Sequence, residues 1–193
     1  DIGLDLDFTN FDASISPFMI KSAVDLLGKM CGNSELHNLS LFNAICYSRH
    51  QILDMVYTVE GSMPSGTPCT SLLNSIINNF CLYYVFSQVL QIRPCQVKEV
   101  MSWITYGDDV LIVFKREHKK DFSVILPQVV EKFAELGMKV TSSSKGPPTV
   151  CPIEDLTFLK RGFYFEDGRF RPSIAEKTIW SLLAWQRSNA EFL

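Results

Sequence analysis

The string Tyr106-Gly107-Asp108-Asp109 lies between two apolar runs, 101–106 and 110–114. Adjacent carboxylates at a tight turn repel one another unless a cation neutralises them, while the flanking runs demand burial. Together they predict an antiparallel β-hairpin whose tip carries the acids. Magnesium suits such a tip, because its octahedral shell takes one or two carboxylates and fills the rest with water and phosphate oxygens. The competing reading is that Gly-Asp serves here as turn chemistry alone.

A second set of carboxylates precedes it. Ile2, Leu4, Leu6 and Phe8 alternate with Asp1, Gly3, Asp5 and Asp7, the period of a strand with one buried face. Asp5 and Asp7 share the other face, so Asp7 is the third candidate metal ligand and Asp5 a supporting residue. Asp12 follows across a strand-to-helix transition, where a solvated turn aspartate is the alternative. Ser16-Pro17 starts a helix running to about Met30, and Gly32 ends it. A helix over 35–48 and a strand over 52–59 are expected next.

The loop Glu60-Gly61-Ser62-Met63-Pro64-Ser65-Gly66 leads into a helix predicted over 67–90. Thr67, Thr70, Asn74 and Asn78 form a polar stripe on it, and Leu72, Leu73, Ile76, Ile77 and Phe80 supply the apolar positions. Such a stripe needs partners. Sugar hydroxyls or a backbone phosphate fit on one reading, neighbouring loops on the other.

Beyond the hairpin, Val129, Val130, Phe133 and Leu136 mark a helix with Pro127 near its first turn and Gly137 at its end. Ser142-Ser143-Ser144-Lys145-Gly146-Pro147-Pro148 is a loop. Short strands are expected at 157–159, at 163–165 and at Phe170, turned by Asp167-Gly168. A helix over 175–187 carries Ile179, Leu182 and Leu183 on one face. This irregular mixture, without repeats, is α+β. As bare chemistry, Lys145 is a solvated loop lysine, Lys160-Arg161 a cationic strand edge, and Lys115-Arg116-Glu117-His118-Lys119-Lys120 a solvated turn.

The formal charge of −3 excludes a protein that meets a polyanion through bulk positive charge, so local basic groups must do so. The longest apolar patch, 80–86, falls short of the ~18–20 residues of a membrane span. Six cysteines and three histidines form no C-x-x-C or zinc pattern, consistent with a reduced, intracellular chain. With no initiator Met and a last helix at Leu193, the chain reads as an excerpt of a longer protein.

Asp7-x4-Asp12, Ser65-Gly66 with Thr70 and Asn74, and Tyr106-Gly107-Asp108-Asp109 resemble, in order and spacing, motifs A, B and C of viral RNA-dependent RNA polymerases. The stretches 5–20, 61–70 and 176–192 are similar to picornavirus polymerases, closest to the hepatovirus (hepatitis A virus) type. The resemblance implies a palm over 1–172 and the start of a thumb over 173–193, with fingers and most of the thumb absent. The palm would be an antiparallel sheet with helices on one face and the carboxylates emerging on the other. It implies RNA-templated nucleotidyl transfer with two Mg2+ ions, replaceable by Mn2+, on Asp7, Asp108 and Asp109.

By the same resemblance, Asp12, Ser65, Gly66, Thr70 and Asn74 bind the nucleotide, Asp12 and Asn74 reading the ribose 2′-hydroxyl. Lys145 matches the motif D lysine that protonates pyrophosphate, although Ser-Ser-Ser-Lys differs from the family's acidic residue before the lysine. Phe158-Leu159-Lys160-Arg161 resembles motif E, with the basic pair near the primer phosphates. Implied partners are RNA template and nascent RNA, nucleoside triphosphates, a viral protein primer and other replication proteins, at membrane-associated complexes in the host cytoplasm. The excerpt alone is expected to be inactive. A reverse transcriptase shares the palm but places a bulky aromatic where this chain has Asp12, and an inert RNA- or protein-binding module is the non-enzymatic alternative.

Overall fold

A computed structural model gives the fold and describes residues 2–115, 122–143 and 145–184. The basic run at 116–120, positions 185–187 of the last helix and the side chains of Leu182 and Leu183 lie outside the described residues.

The predicted first strand is β1, Ile2–Thr9, and it becomes the middle of the sheet. A short turn of helix, α1 (Phe11–Ser14), leads to α2, Pro17–Cys31. Ser16 Oγ accepts from the Met19 N–H at α2's start, and Gly32 ends the helix at φ +68°. Next come α3 (Glu35–Cys46), the hairpin β2 (Tyr47–Ile52) and β3 (Met55–Glu60), and the long α4, Thr70–Leu90. A short α5 (Val97–Val100) precedes the carboxylate hairpin, β4 (Met101–Tyr106) and β5 (Asp109–Phe114). The chain continues through α6 (Phe122–Glu135), β6 (Lys139–Thr141), β7 (Cys151–Pro152), the hairpin β8 (Arg161–Glu166) and β9 (Arg169–Ile174), and α7 (Glu176–Ala184).

The main sheet runs β4-β5-β1-β6, with β7 also on β1, and every pairing is antiparallel. Leu4 stands opposite Ile112 and Leu6 opposite Val110. That register sends Leu4, Leu6 and Phe8 into one core with Leu73, Ile77, Leu82 and Phe86 of α4, Ile20 and Val24 of α2, and Val129 and Phe133 of α6. Full burial stabilises by about 1.5–3 kcal/mol per large side chain, and Leu6→Ala would cost about 2–5 kcal/mol. Helices therefore cover one face, as expected. Part of the other face is covered too: Leu111 packs with Ile153 and Leu156, against Phe158, Phe163 and Phe170.

Several elements differ from their predicted form. Helix α3 stops at Cys46, because Tyr47 pairs with Glu60 and the Cys46 carbonyl accepts from Gly61 N–H. The expected strand 52–59 is instead the hairpin of β2 and β3, turning at Leu53, φ +55°. Both strands are mostly exposed, so neither shows alternation. Helix α4 starts at Thr70, three residues late, because Cys69 adopts φ +71°. Pro127 lies inside α6 rather than near its first turn; it sits on the exposed side, where water can take the carbonyl that its missing N–H leaves open. Residues 157–159 make a single bridge, Phe158 with Arg161, since Leu159 and Lys160 adopt positive φ. No described helix is long and apolar enough to cross a membrane.

Candidate active site

The turn between β4 and β5 presents the acids. Gly107 takes φ +63°, a conformation that costs little only without a side chain. Helix α4 holds this turn from behind at three points. Ser75 Oγ accepts the Gly107 N–H at 2.8 Å, and the Asn78 amide donates to the Gly107 and Asp108 carbonyls at 3.1 and 3.3 Å. One position further along, Asn79 donates to Thr105 Oγ1 and accepts from the Trp103 indole, each at 2.8 Å. The Gly107 N–H and the Gly107 and Asp108 carbonyls are thus engaged while the Asp108 side chain is exposed.

The β1 and β5 ladder ends at Leu6 opposite Val110, so Asp7 and Asp109 are the next residues on each strand. Burial, then the charges of Asp108 and Asp7, push the Asp109 carboxyl above its ordinary value, while Lys145 pulls it back. Three carboxylates therefore share one field. The cation answering it is Lys145, whose ammonium pairs with the Asp7 carboxylate. That hydrogen bond and charge, with smaller contributions from Asp108 and Asp109, raise the lysine above its ordinary value. Asp5, Asp7, Asp109, Lys145 and Lys160 line a common cleft of about 450 Å³. Arg161 begins β8 with an exposed side chain, and its backbone bridges Phe158.

Among the described residues, no three carboxylate, imidazole or thiol groups converge as a closed metal cage. Magnesium does not require one. One or two hard carboxylates with open positions for water and phosphate are its usual protein share, and Asp7, Asp108 and Asp109 offer that donor set. Burial lifts Asp109 most, and the repulsion by Asp108 and Asp7 that adds to it is what a divalent cation would relieve.

A second group forms around Asp12. Its Oδ1 accepts from the Asn74 amide at 2.7 Å, four residues before Asn78 on α4. Asn74 is buried, and its Oδ1 has no hydrogen-bond partner among the described residues. Met63 N–H donates to the Asp12 carbonyl at 2.9 Å, which ties the following loop to the same place. Ser65 and Gly66 are exposed on that loop, and they line a shallow pocket with Thr67, Cys69 and Thr70. The Thr70 hydroxyl donates to the Thr67 carbonyl at 2.7 Å, so it braces the loop rather than Asp12. Both readings of the polar stripe thus hold in part: the Thr70 hydroxyl and the Asn78 amide N–H groups satisfy loops, whereas Asn74 turns to Asp12, and the Oδ1 atoms of Asn74 and Asn78 both have no hydrogen-bond partner among the described residues.

Sequence reasoning missed Ser75 and Asn79 as supports of the acid turn. Their sole sequence signal is that each follows a stripe residue directly.

The model of the family described as viral RNA-dependent RNA polymerase matches residues 1–192. The chain belongs to the viral RNA-dependent RNA polymerase family. Relatives match it along its whole length: it is 52% identical over 193 residues to the genome polyprotein of simian hepatitis A virus genotype V (isolate AGM-27). It is 53% identical to that of human hepatitis A virus genotype IIIB (isolate HAJ85-1) and 51% to that of genotype IA (isolate HAS-15). The chain spans 9% of the length of these polyproteins.

Proposed function

We propose that residues 1–172 are the palm, and 173–193 the start of the thumb, of a polymerase that copies RNA from nucleoside triphosphates during viral genome replication. The observation that carries this reading is the meeting of Asp7, Asp109 and Lys145 in one cleft, with Asp108 close enough for its charge to act on Asp109 and Lys145. Asp7 and Asp108 would hold divalent ions, with Asp109 beside them; Mg2+, or Mn2+ in its place, would supply there a lowered pKa for the attacking 3′-hydroxyl and a countercharge for the departing pyrophosphate.

The remaining work falls to the chain. The primer 3′-hydroxyl gives its proton to water as its oxygen bonds the α-phosphorus, the α–β bridge breaks, and pyrophosphate leaves with a proton from Lys145, which solvent then restores. With no ion bound, the hydrogen bond and then the charge of Asp7 raise that ammonium above its ordinary value. Asp12 and Asn74 recognise the ribose 2′-hydroxyl, to which the unpaired Asn74 Oδ1 is a ready acceptor. Ser65, Gly66 and Thr70 form the loop at the sugar, and Lys160 and Arg161 meet primer phosphates. Template RNA, a viral protein primer and membrane-associated replication complexes in the host cytoplasm complete the proposed setting.

The test is single-nucleotide incorporation on a primed RNA template by the complete polymerase. Asp108→Ala abolishes incorporation while the fold, followed by circular dichroism, is retained. Incorporation near the wild-type rate would defeat the reading and favour an inert module.

A further inference from the structure

Asp5 stands on the cleft face of β1, two residues before Asp7, and is only 8% exposed. A carboxylate so buried requires hydrogen-bond partners. Ser143 Oγ donates to Asp5 Oδ2 at 2.5 Å, and Thr157 Oγ1 donates to Ser143 Oγ at 3.0 Å. This hydroxyl chain joins three segments distant in sequence: β1, the loop at 142–146 and the stretch leading to Lys160.

The loop so anchored carries Lys145. Its backbone is closed by Ser142 N–H to the Gly146 carbonyl at 2.9 Å and by Lys145 N–H to the Ser142 carbonyl at 2.8 Å. Lys145 itself adopts φ +64°, a state uncommon for a residue with a Cβ. Its side chain is 73% exposed, so packing does little to aim it. Direction must come from the loop, and beside the Lys145 pair itself a side-chain anchor that joins the loop to β1 is Ser143 on Asp5.

We propose that Asp5, acting through Ser143 and braced by Thr157, is a positioning residue for Lys145. It fixes the loop to the strand that carries Asp7, so the ammonium stays in reach of Asp7 and of phosphate entering beside it. The inference rests on Lys145 being the proton donor of the proposed reaction.

The test is single-nucleotide incorporation by the complete polymerase carrying S143A, S143T, T157V, K145A and the double variants with K145A. Loss of a supporting hydrogen bond behind a reacting group costs roughly tenfold to a hundredfold. S143A is expected to lose that much in maximal rate with little change in nucleotide KM, and S143T, which keeps the hydroxyl, to recover most of it. In a K145A background S143A should add no further loss. T157V, at an exposed position, should show the same pattern at smaller size, and it decides the matter if S143A fails to fold. Equal losses with and without Lys145 would make the chain merely structural and overturn the proposal. A slow K145A beside wild-type S143A and T157V would overturn positioning alone. A K145A enzyme at the wild-type rate would remove the proton-donor reading, and this inference with it.

Discussion

Asn78 and Gly107 are 29 positions apart in the chain, yet the fully buried Asn78 amide donates to the Gly107 carbonyl at 3.1 Å. The acid-bearing turn is therefore seated on α4, the same helix that places Asn74 against Asp12 one turn earlier. The acid-bearing turn and the Asp12 group share one rigid support.

Removing that support should be costly. Asn78→Ala leaves the Gly107 and Asp108 carbonyls without their donor in a buried setting, worth about 1–3 kcal/mol. Asn78→Asp sets an acceptor against two acceptors and should cost more. Urea denaturation and incorporation by the complete polymerase check this: stability and rate fall together, and an Asn78→Ala enzyme unchanged in both would contradict the seating.

Much of this arrangement was legible in the sequence. Alternation at 2–8 located β1 and placed Asp7 on its polar face because one face of that strand is truly buried. Ser16-Pro17 and Gly32 located α2 because caps act locally. The expected strand over 52–59 covers most of β3, whereas its partner β2 escaped notice because β2 is mostly exposed and carries no period. Ser75 and Asn79 were not singled out, since their partners at Gly107, Thr105 and Trp103 come from a distant segment. The pairing of Lys145 with Asp7 joins positions 138 residues apart, and spacing alone does not report it.

Sugar discrimination should depend on the Asp12 and Asn74 pair. An unpaired buried polar group costs about 1–3 kcal/mol, or roughly 5- to 150-fold in preference. Asp12→Ala is expected to lower the ratio of NTP to dNTP incorporation by that order, measured as the two kcat/KM values. An unaltered ratio would remove Asp12 from ribose recognition.

The Asp109 carboxyl carries a pH signature. Its folded value lies above the ordinary 3.8, chiefly through burial and then through Asp108 and Asp7. The fold thus favours the protonated form: the cost is absent below 3.8, grows as pH rises through the folded value, and is complete above it. Asp109→Asn should raise the metal-free melting temperature at neutral pH, with the gain shrinking as pH falls toward 3.8 or as Mg2+ is added. A less stable Asp109→Asn protein at neutral pH would contradict the shared field.

Two glycines should respond differently to a methyl group. A Cβ on Gly3 would lie 2.4 Å from the Ile112 carbonyl oxygen of the neighbouring strand, which cannot move away alone. Gly3→Ala should cost about 1–3 kcal/mol or more, as overpacking does. A Cβ on Gly107 meets nothing within 4 Å, and its positive φ alone sets a cost of about 1–2 kcal/mol. Denaturation of the two variants separates them: Gly3→Ala disturbs the sheet, whereas Gly107→Ala should lower incorporation more than stability.

The most direct measurement is the anomalous signal of Mn2+ in crystals of the complete polymerase with RNA and an incoming nucleotide. Manganese held jointly by the carboxylates of Asp7 and Asp108, and lost from that place in Asp108→Ala, is the predicted result. Ions seated elsewhere, with those two side chains turned to separate surroundings, would contradict it.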